Sequence, residues 1–341
     1  MKILQVYKSY NPTGGGVERH IDGICKTLSI EFQSTVIAYE LSKENFSNIN
    51  YNVVKFTFIG FVKEINNCNL IHLHGARNIL NLPFFILGKI LNKKIIYTPH
   101  CYYDSKNFLA KFIKKIWDFT IEKMFYKFSN FTILLNDYWL EYATSESYNI
   151  KNVKIIPNCV IKNNYKRTDN LEHNKSIKDI ISISRIDKVK RIEDIIKVVV
   201  NLKNKFNLHI VGVGPDLENL KKKYREINNI KFYGYLTDKE IDEILKNIDV
   251  FIIPSEKEGL PTTILEMILK GIPVMASKIP GNISILKNLN EKLNFNIGDL
   301  SEISKILKAE QFNINPELLE NVIKNFTWEN RIKDIEKIYY E

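Results

Sequence analysis

The chain has 341 residues and a mass of 39.9 kDa, room for about two domains. A hydrophobic fraction of 45%, a charged fraction of 26%, 14 Gly and 10 Pro exclude a disordered, collagen-like or low-complexity chain. The formal net charge is +10, and residues 1–160 carry most of it, with 19 Lys+Arg against 12 Asp+Glu.

The chain opens on an apolar run, Lys2–Tyr7, that reads as a strand; no basic segment leads into a long apolar stretch, so no signal peptide is expected. GGGVERH (14–20) follows and opens a helix over Val17–Ser29. Glycines there leave amides exposed and make room for a phosphate. The spacing is not GxGxxG, and no acid ends a second strand about 20 residues on, so a nicotinamide or flavin site loses ground. Further strands are expected at Ser34–Tyr39, Asn69–Leu73, Lys94–Thr98 and Phe131–Leu135.

Three histidines end strands here: His72 and His74 in LIHLHG, and His100 in TPHCYY. His100, followed by Tyr102 and Tyr103, is the stronger ligand-contact candidate; His74 and the two tyrosines are candidates for the acceptor side. No carboxylate neighbours the His-x-His pair, and no D-x-D occurs, so no metal is expected. The four cysteines, Cys25, Cys68, Cys101 and Cys159, form no CxxC; they argue against a disulfide framework or thiolate zinc site and for a reducing compartment.

The most apolar window, Ile79–Leu91, is 13 residues and too short to span a bilayer. KNFLAKFIKKIW (106–117) holds four lysines and no acid, with Phe108, Phe112, Ile113 and Trp117 at helical spacing. Two readings stand side by side: a surface helix whose apolar stripe enters the core, and a helix lying on an anionic membrane surface. Nucleic acid is not an expected partner, because no recognition motif accompanies the charge.

A polar, aperiodic stretch at 161–179 reads as a linker. Beyond it, strands are expected at Ile180–Ser184, Leu208–Val211, Ile230–Tyr233, Val250–Ile253 and Pro273–Ala276. Helices are expected at Ile192–Lys205, Asp216–Ile227 and Lys239–Asn247. Val/Ile-rich strands alternating with amphipathic helices predict doubly wound parallel sheets. The last segment, 327–341, is helical with Trp328, Ile332, Ile335 and Ile338 on one side.

The strongest local signal is PSEKEGLPTTILEMILKGIPVMAS (254–277). A strand ends, a loop carries Glu258, and a helix begins near Pro261 with Thr262 and Thr263 in its first turn. Such a helix start is a ready anion site. Glu266 lies eight residues after Glu258, and two carboxylates so placed suit hydrogen bonds to sugar or ribose hydroxyls. In SISRIDKVKR (182–191), Arg185 and Lys190 follow a strand end, where an Arg fork and a Lys charge suit a pyrophosphate. GVGPD (212–216), with Gly214, is by itself a weak phosphate signal or a plain tight turn. FYGYL (232–236), with Gly234, Tyr235 and Leu236, is either a wall for a nucleotide base or a simple strand and turn.

GGGVERH, HLHG, TPH, IPN, SRIDKVKR, GVGPD, FYGYL and EGLPTTILE, in this order, resemble the retaining GT-B glycosyltransferases of family 4 over essentially the whole chain. The resemblance implies two Rossmann-like domains facing a cleft. Residues 1–160 with the returning helix 327–341 would bind acceptor, and residues 161–326 would bind a nucleotide-sugar donor. It implies that Arg185 and Lys190 stabilise the diphosphate, Glu266 holds the ribose and Glu258 the transferred sugar. The amides of Gly259, Leu260, Pro261–Thr263 would line sugar and phosphate, Gly15 and Gly16 would approach the diphosphate, and His100 would contact the sugar near its reacting carbon. Two positions depart from the family pattern: Arg191, where Gly is usual, and Ile264, where a small residue is common.

The expected activity is therefore metal-independent, retaining transfer of a hexosyl group from a UDP- or GDP-sugar to a hydroxyl of a glycan or polyprenyl-diphosphate-linked acceptor. O-antigen, capsule or other envelope polysaccharide synthesis is the expected setting, in the cytoplasm or peripherally on the inner face of the plasma membrane. A GT-B epimerase or phosphorylase and a non-catalytic sugar-nucleotide-binding scaffold are the alternatives; the charged set at 185, 190, 258 and 266 weighs against the scaffold.

Overall fold

The computed structural model describes residues 1–12, 14–42, 49–103, 108–162, 178–203, 205–309 and 312–341. Most of the linker expected at 161–179 lies outside them. The chain divides into unit 1, Met1–Ile161 with Asn325–Glu341, and unit 2, Lys162–Lys324.

Unit 1 alternates strand and helix: β1 (Lys2–Tyr10), α1 (Gly16–Thr27), β2 (Gln33–Leu41), β3 (Asn52–Lys55), α2 (Phe58–Asn67), β4 (Leu70–His74), α3 (Asn81–Ile90) and β5 (Lys94–Thr98). Then come α4 (Phe108–Trp117), a π-helical turn at Asp118–Glu122, α5 (Lys123–Phe128), β6 (Phe131–Leu134), α6 (Asp137–Ser145) and β7 (Val153–Ile155). Its seven strands form one parallel sheet in the order β3-β2-β1-β4-β5-β6-β7. The central strand β4, LIHLH, is buried along its whole length, as a strand covered on both faces must be.

Unit 2 runs β8 (Asp179–Ile183), α7 (Ile192–Asn201), β9 (Asn207–Val211), α8 (Leu217–Lys223), β10 (Ile230–Gly234), α9 (Asp238–Leu245) and β11 (Val250–Ile253). It continues with α10 (Thr262–Leu269), β12 (Val274–Ser277), α11 (Pro280–Leu286), β13 (Asn294–Phe295), α12 (Leu300–Ala309) and α13 (Pro316–Asn325). The six strands are again parallel, in the order β10-β9-β8-β11-β12-β13. Val/Ile-rich strands and the apolar side of α7 meet in one core that includes Ile180, Ile196, Leu208, Ile210, Val250 and Phe295.

The last helix, α14 (Trp328–Tyr340), returns to unit 1. Val160 N donates to Phe326 O and Trp328 N to Val160 O, both at 3.0 Å, so the chain re-enters beside the end of the first unit. Trp328, Ile332, Ile335 and Ile338 are buried against Ile3, Ile24, Leu70 and Ile133. Gly23 on α1 makes that seat possible: a Cβ there would stand 2.0 Å from Trp328 Nε1.

The expected strands recur within a few residues of their bounds. Three further strands, β3, β7 and β13, are four, three and two residues long and lie at or beside sheet edges. Such pieces offer too few residues for any period to show.

Candidate functional site

In unit 2 the strand order reverses between β8 and β11. Open α/β sheets bind ligands outside the carboxyl ends of their strands at such a reversal. The loops leaving those two strands hold the charged residues singled out by sequence. The β8 loop closes in a 3-10 turn, Lys188–Lys190, whose first residue is preceded by Asp187; that side chain accepts from Lys190 N at 3.3 Å. The β11 loop is tied to it by Glu256 N donating to Val189 O at 2.8 Å.

With the loops so joined, Lys190 Nζ donates to Glu258 Oε1 at 2.6 Å, and Ser255 Oγ donates to the same oxygen at 2.7 Å. Both side chains of the ion pair are largely buried. Neither charge would be tolerated there alone, because desolvation outweighs what a lone charge gains. The pair leaves a cation and a carboxylate together at the sheet's reversal point.

Helix α10 begins directly after this loop, with Pro261 preceding its first turn and no side chain capping it. Its first amides point toward the β11 loop end of the helix, the arrangement that binds phosphate. Gly259, Leu260, Pro261 and Thr262 are buried, and Thr263 is half-buried. Glu266 is buried one turn further in. Ile264, the second departure from the family pattern, is fully buried in the core side of this helix.

Arg185 stands apart from the ion pair. Its side chain is 71% exposed and its nearest acid is Asp187, at 3.6 Å. Arg191 adopts φ 51°, left-handed backbone that favours glycine, which accounts physically for the Gly usual there. Its guanidinium is engaged by Asp194 at 2.7 Å and Glu256 at 3.7 Å.

The weaker glycine signals divide. A Cβ at Gly214 would lie 2.2 Å from Ile186 O, so close packing of two loops accounts for this glycine by itself. Gly234 has φ +73° with open space around it, and the following Tyr235 is half exposed.

Sequence reasoning missed the residues that brace the β11 loop. Ser277 Oγ donates to Ser255 O at 2.5 Å, and Asn282 Nδ2 donates to Ser277 O at 2.9 Å. A Cβ on Gly281 would lie 2.6 Å from Glu258 O. In the sequence these residues carry no signal beyond a Pro-Gly-Asn run, 280–282, of the kind that opens a helix.

In unit 1 the reversal falls between β1 and β4. Gly15 precedes α1 and Gly16 opens it, and neither is backed by a side-chain cap. His72 and His74 share one face of β4, as strand alternation requires. His74 Nε2 is 2.8 Å from Gln5 Oε1, Gln5 Nε2 donates to Tyr339 OH at 3.1 Å, and His72 Nδ1 is 2.9 Å from the same hydroxyl. His74 Nδ1 lies 3.1 Å from His100 Nε2. With Gln5 Oε1 accepting, His74 carries its proton on Nε2, and His100 then donates from Nε2. Burial pushes the titration of His72, His74 and His100 well below its ordinary range, and that of His20 down to about 3. All four are neutral imidazoles at neutral pH.

Two acceptor-side expectations are corrected here. Tyr102 is 1% exposed, with its ring among Trp139, Tyr142 and Tyr148, so it belongs to an aromatic core. His74 is fully buried and hydrogen-bonded to His100, itself buried at 5% exposure, so it positions that residue instead of lining a surface. His100 has φ 63°, a strained conformation for a side chain other than glycine, and Tyr103 is exposed.

His20, His74 and His100 bring ring nitrogens within 4.8 Å of one another. Neutral imidazoles are metal ligands, so these three could hold a divalent cation, a possibility the linear spacing of His72 and His74 hid.

Residues 165–326 match the sequence profile of the glycosyl transferases group 1. They belong to that family. The glycosyltransferase likeness extends along the chain. MJ1069 of Methanocaldococcus jannaschii, named an uncharacterised glycosyltransferase, is 25% identical over 99% of this chain and 98% of its own. N,N'-diacetylbacillosaminyl-diphospho-undecaprenol alpha-1,3-N-acetylgalactosaminyltransferase of Campylobacter jejuni is 28% identical over 82% of this chain and 78% of its own. Among solved structures, Anabaena Alr3699/HepE in complex with UDP and glucose superposes with a TM-score of 0.81 at 18% identity, covering 100% of this chain and 99% of its own. The fold is GT-B.

Proposed function

We propose that this glycosyltransferase moves a hexosyl group from a UDP- or GDP-sugar to a hydroxyl of a lipid-linked glycan, with retention and without a metal. The observation that carries the reading is the Lys190–Glu258 pair, held with the open start of α10 at the reversal point of unit 2. A cation and helix amides suit the diphosphate, while Glu258 and Glu266 suit sugar and ribose hydroxyls. The Anabaena neighbour was solved with UDP, and the Campylobacter relative is named for a diphospho-undecaprenol substrate; both support a nucleotide donor and a lipid-linked acceptor.

In this reaction the bond from the anomeric carbon to the donor phosphate oxygen breaks, and the acceptor oxygen bonds to that carbon from the same face. The acceptor proton passes to the departing phosphate oxygen. Lys190 and Arg185 stabilise the charge that grows on the diphosphate, and Glu258 orients the sugar.

A thermal-shift series with UDP, GDP, ADP and their sugar conjugates tests this reading. A nucleotide at 100 times its dissociation constant adds about 2.7 kcal/mol, a rise of roughly 5–10 °C for a domain of this size. One nucleotide standing out is the expected result; no response from any of them favours a scaffold. Transfer rates are further expected to be unchanged by a strong chelator. A loss restored by added zinc would assign His20, His74 and His100 to a required metal instead.

A further inference from the structure

Helix α4 and the π-helical turn after it present a largely exposed apolar strip. No residue of α4 is buried. Phe108 is 86% exposed, Leu109 65%, Phe112 56%, Ile113 57%, Ile116 49% and, in the π turn, Phe119 70%. The positions i, i+1, i+4, i+5 and i+8 share one side of a helix. Lys114, on the other side, donates to Tyr103 O at 2.8 Å, so it is the polar side that faces the body of unit 1. The expectation that the apolar stripe enters the core is therefore corrected.

Charge is sorted in the same way. Lys111 and Lys115 are exposed beside the strip, and Lys127 follows on α5. The acids of this segment turn inward. Asp118 accepts from Arg77 Nε at 2.7 Å, and Glu122 is fully buried beneath Tyr97 OH. The described part of the helix thus shows lysines and large apolar side chains to the outside and no carboxylate. Among the described residues no helix is long and apolar enough to cross a membrane, so a partner for this strip meets it from the side.

We infer that α4 docks unit 1 on the surface of an anionic lipid bilayer. The helix lies in the interface, its aromatic and aliphatic side chains reaching among the acyl chains and its lysines meeting lipid phosphates. A soluble protein partner would match the apolar strip equally well. The one-signed rim decides for a lipid surface, because the acids that a protein interface could pair are withdrawn. The inference stands independently of the transfer reaction, although a lipid-linked acceptor would be met at that surface.

The test is co-sedimentation of the full chain with vesicles of phosphatidylcholine alone and with an equal part of phosphatidylglycerol. The wild type is expected on the anionic vesicles and not on the neutral ones. Lys111→Gln/Lys115→Gln is expected to weaken that partition about tenfold or more, each lysine contributing about fivefold. Phe112→Ser/Ile113→Ser is expected to weaken it at least as much, and about 1 M salt to reduce the wild-type partition by screening. Because these side chains are exposed, both variants keep the wild-type melting temperature and its nucleotide-induced rise, which checks folding and the donor site separately. No wild-type binding to anionic vesicles, or equal binding by wild type and both variants, overturns the inference. Failure of the nucleotide series with vesicle binding intact overturns only the proposed reaction.

Discussion

Lys190→Ala is expected to lower turnover of the nucleotide-sugar by about 10² or more, the usual effect of removing one group that stabilises developing charge. The same change strands Glu258, whose carboxylate shares its buried oxygen between Lys190 and Ser255. Part of the loss could then come from a displaced loop. Lys190→Ala/Glu258→Gln isolates the structural part: it removes the stranded charge while keeping the shape, so the melting temperature is expected to recover, whereas its turnover also reflects the lost sugar contact of Glu258. Arg185→Ala tests the same role without that complication, because its side chain is mostly exposed and no buried acid depends on it. It is expected to lose turnover by a similar factor at unchanged stability. Wild-type rates in both single variants would remove the diphosphate from this loop.

The contrast between these two cations shows how the site is built. Lys190 is held in place before any substrate arrives by the β8 loop's own turn and by Glu258 across the sheet reversal. Arg185 is mostly exposed and pairs with Asp187 of its own loop. A buried, preset cation and an exposed one on a single loop suit a ligand that must be both located and closed upon. Asn282 and Ser277 act through Ser255, and they fix where Glu258 presents its second oxygen.

What could be read from the chain follows from what periodicity and punctuation encode. Val250–Ile253 is apolar throughout and Lys94–Thr98 has an apolar centre; both end on loops, and the structure gives them the same bounds. The returning helix was legible because Trp328, Ile332, Ile335 and Ile338 keep a strict 3.6 spacing. EGLPTTILE was legible because a helix start after a strand is a local device. By contrast, Ser255, Ser277 and Asn282 depend on contacts between separate loops, and a serine after a strand has many uses. His20 sits on α1, 54 residues before His74 and 80 before His100; only the sheet's reversal brings the three together. Tyr102 looked like a ligand contact because it follows a strand end, but its ring is large enough to be drawn into the aromatic core formed by α6. The orientation of α4 was also illegible: an amphipathic stripe states that one side is apolar, not what covers it.

Arg77→Ala is expected to cost about 3–5 kcal/mol at neutral pH, the usual result of removing one partner of a buried ion pair. For a domain of this size that is a fall of roughly 10 °C in melting temperature. Arg77 appears in the sequence only as one arginine in HLHGARN, and its partners lie 41 and 45 residues on. Its guanidinium makes two bonds to the Asp118 carboxylate, at 2.7 and 2.5 Å, and a third to Tyr103 O at 2.8 Å. Its backbone N–H donates to Glu122 at 3.1 Å. Without the side chain Asp118 keeps its charge in a place with little water, while the fold that aims α4 outward loses its anchor. The effect has a sign in pH. Burial pushes the Glu122 carboxyl up to about 7, so the native state holds a proton that the unfolded chain has released. The stability this provides is complete below about pH 4.5 and is lost as pH rises through about 7. Glu122→Gln, which mimics the protonated carboxyl, should therefore match the wild type near pH 4.5 and exceed it in stability at pH 8. Arg77→Ala should be closest to wild type in acid and furthest from it in base, because the guanidinium that offsets the charge on Glu122 is gone. Denaturant melts of the three chains at several pH values read both slopes. A melting temperature for Arg77→Ala within about 2 °C of wild type at neutral pH would show that Asp118 reaches solvent unaided. The anchor of α4 would then have to lie with Glu122 and Tyr97 alone.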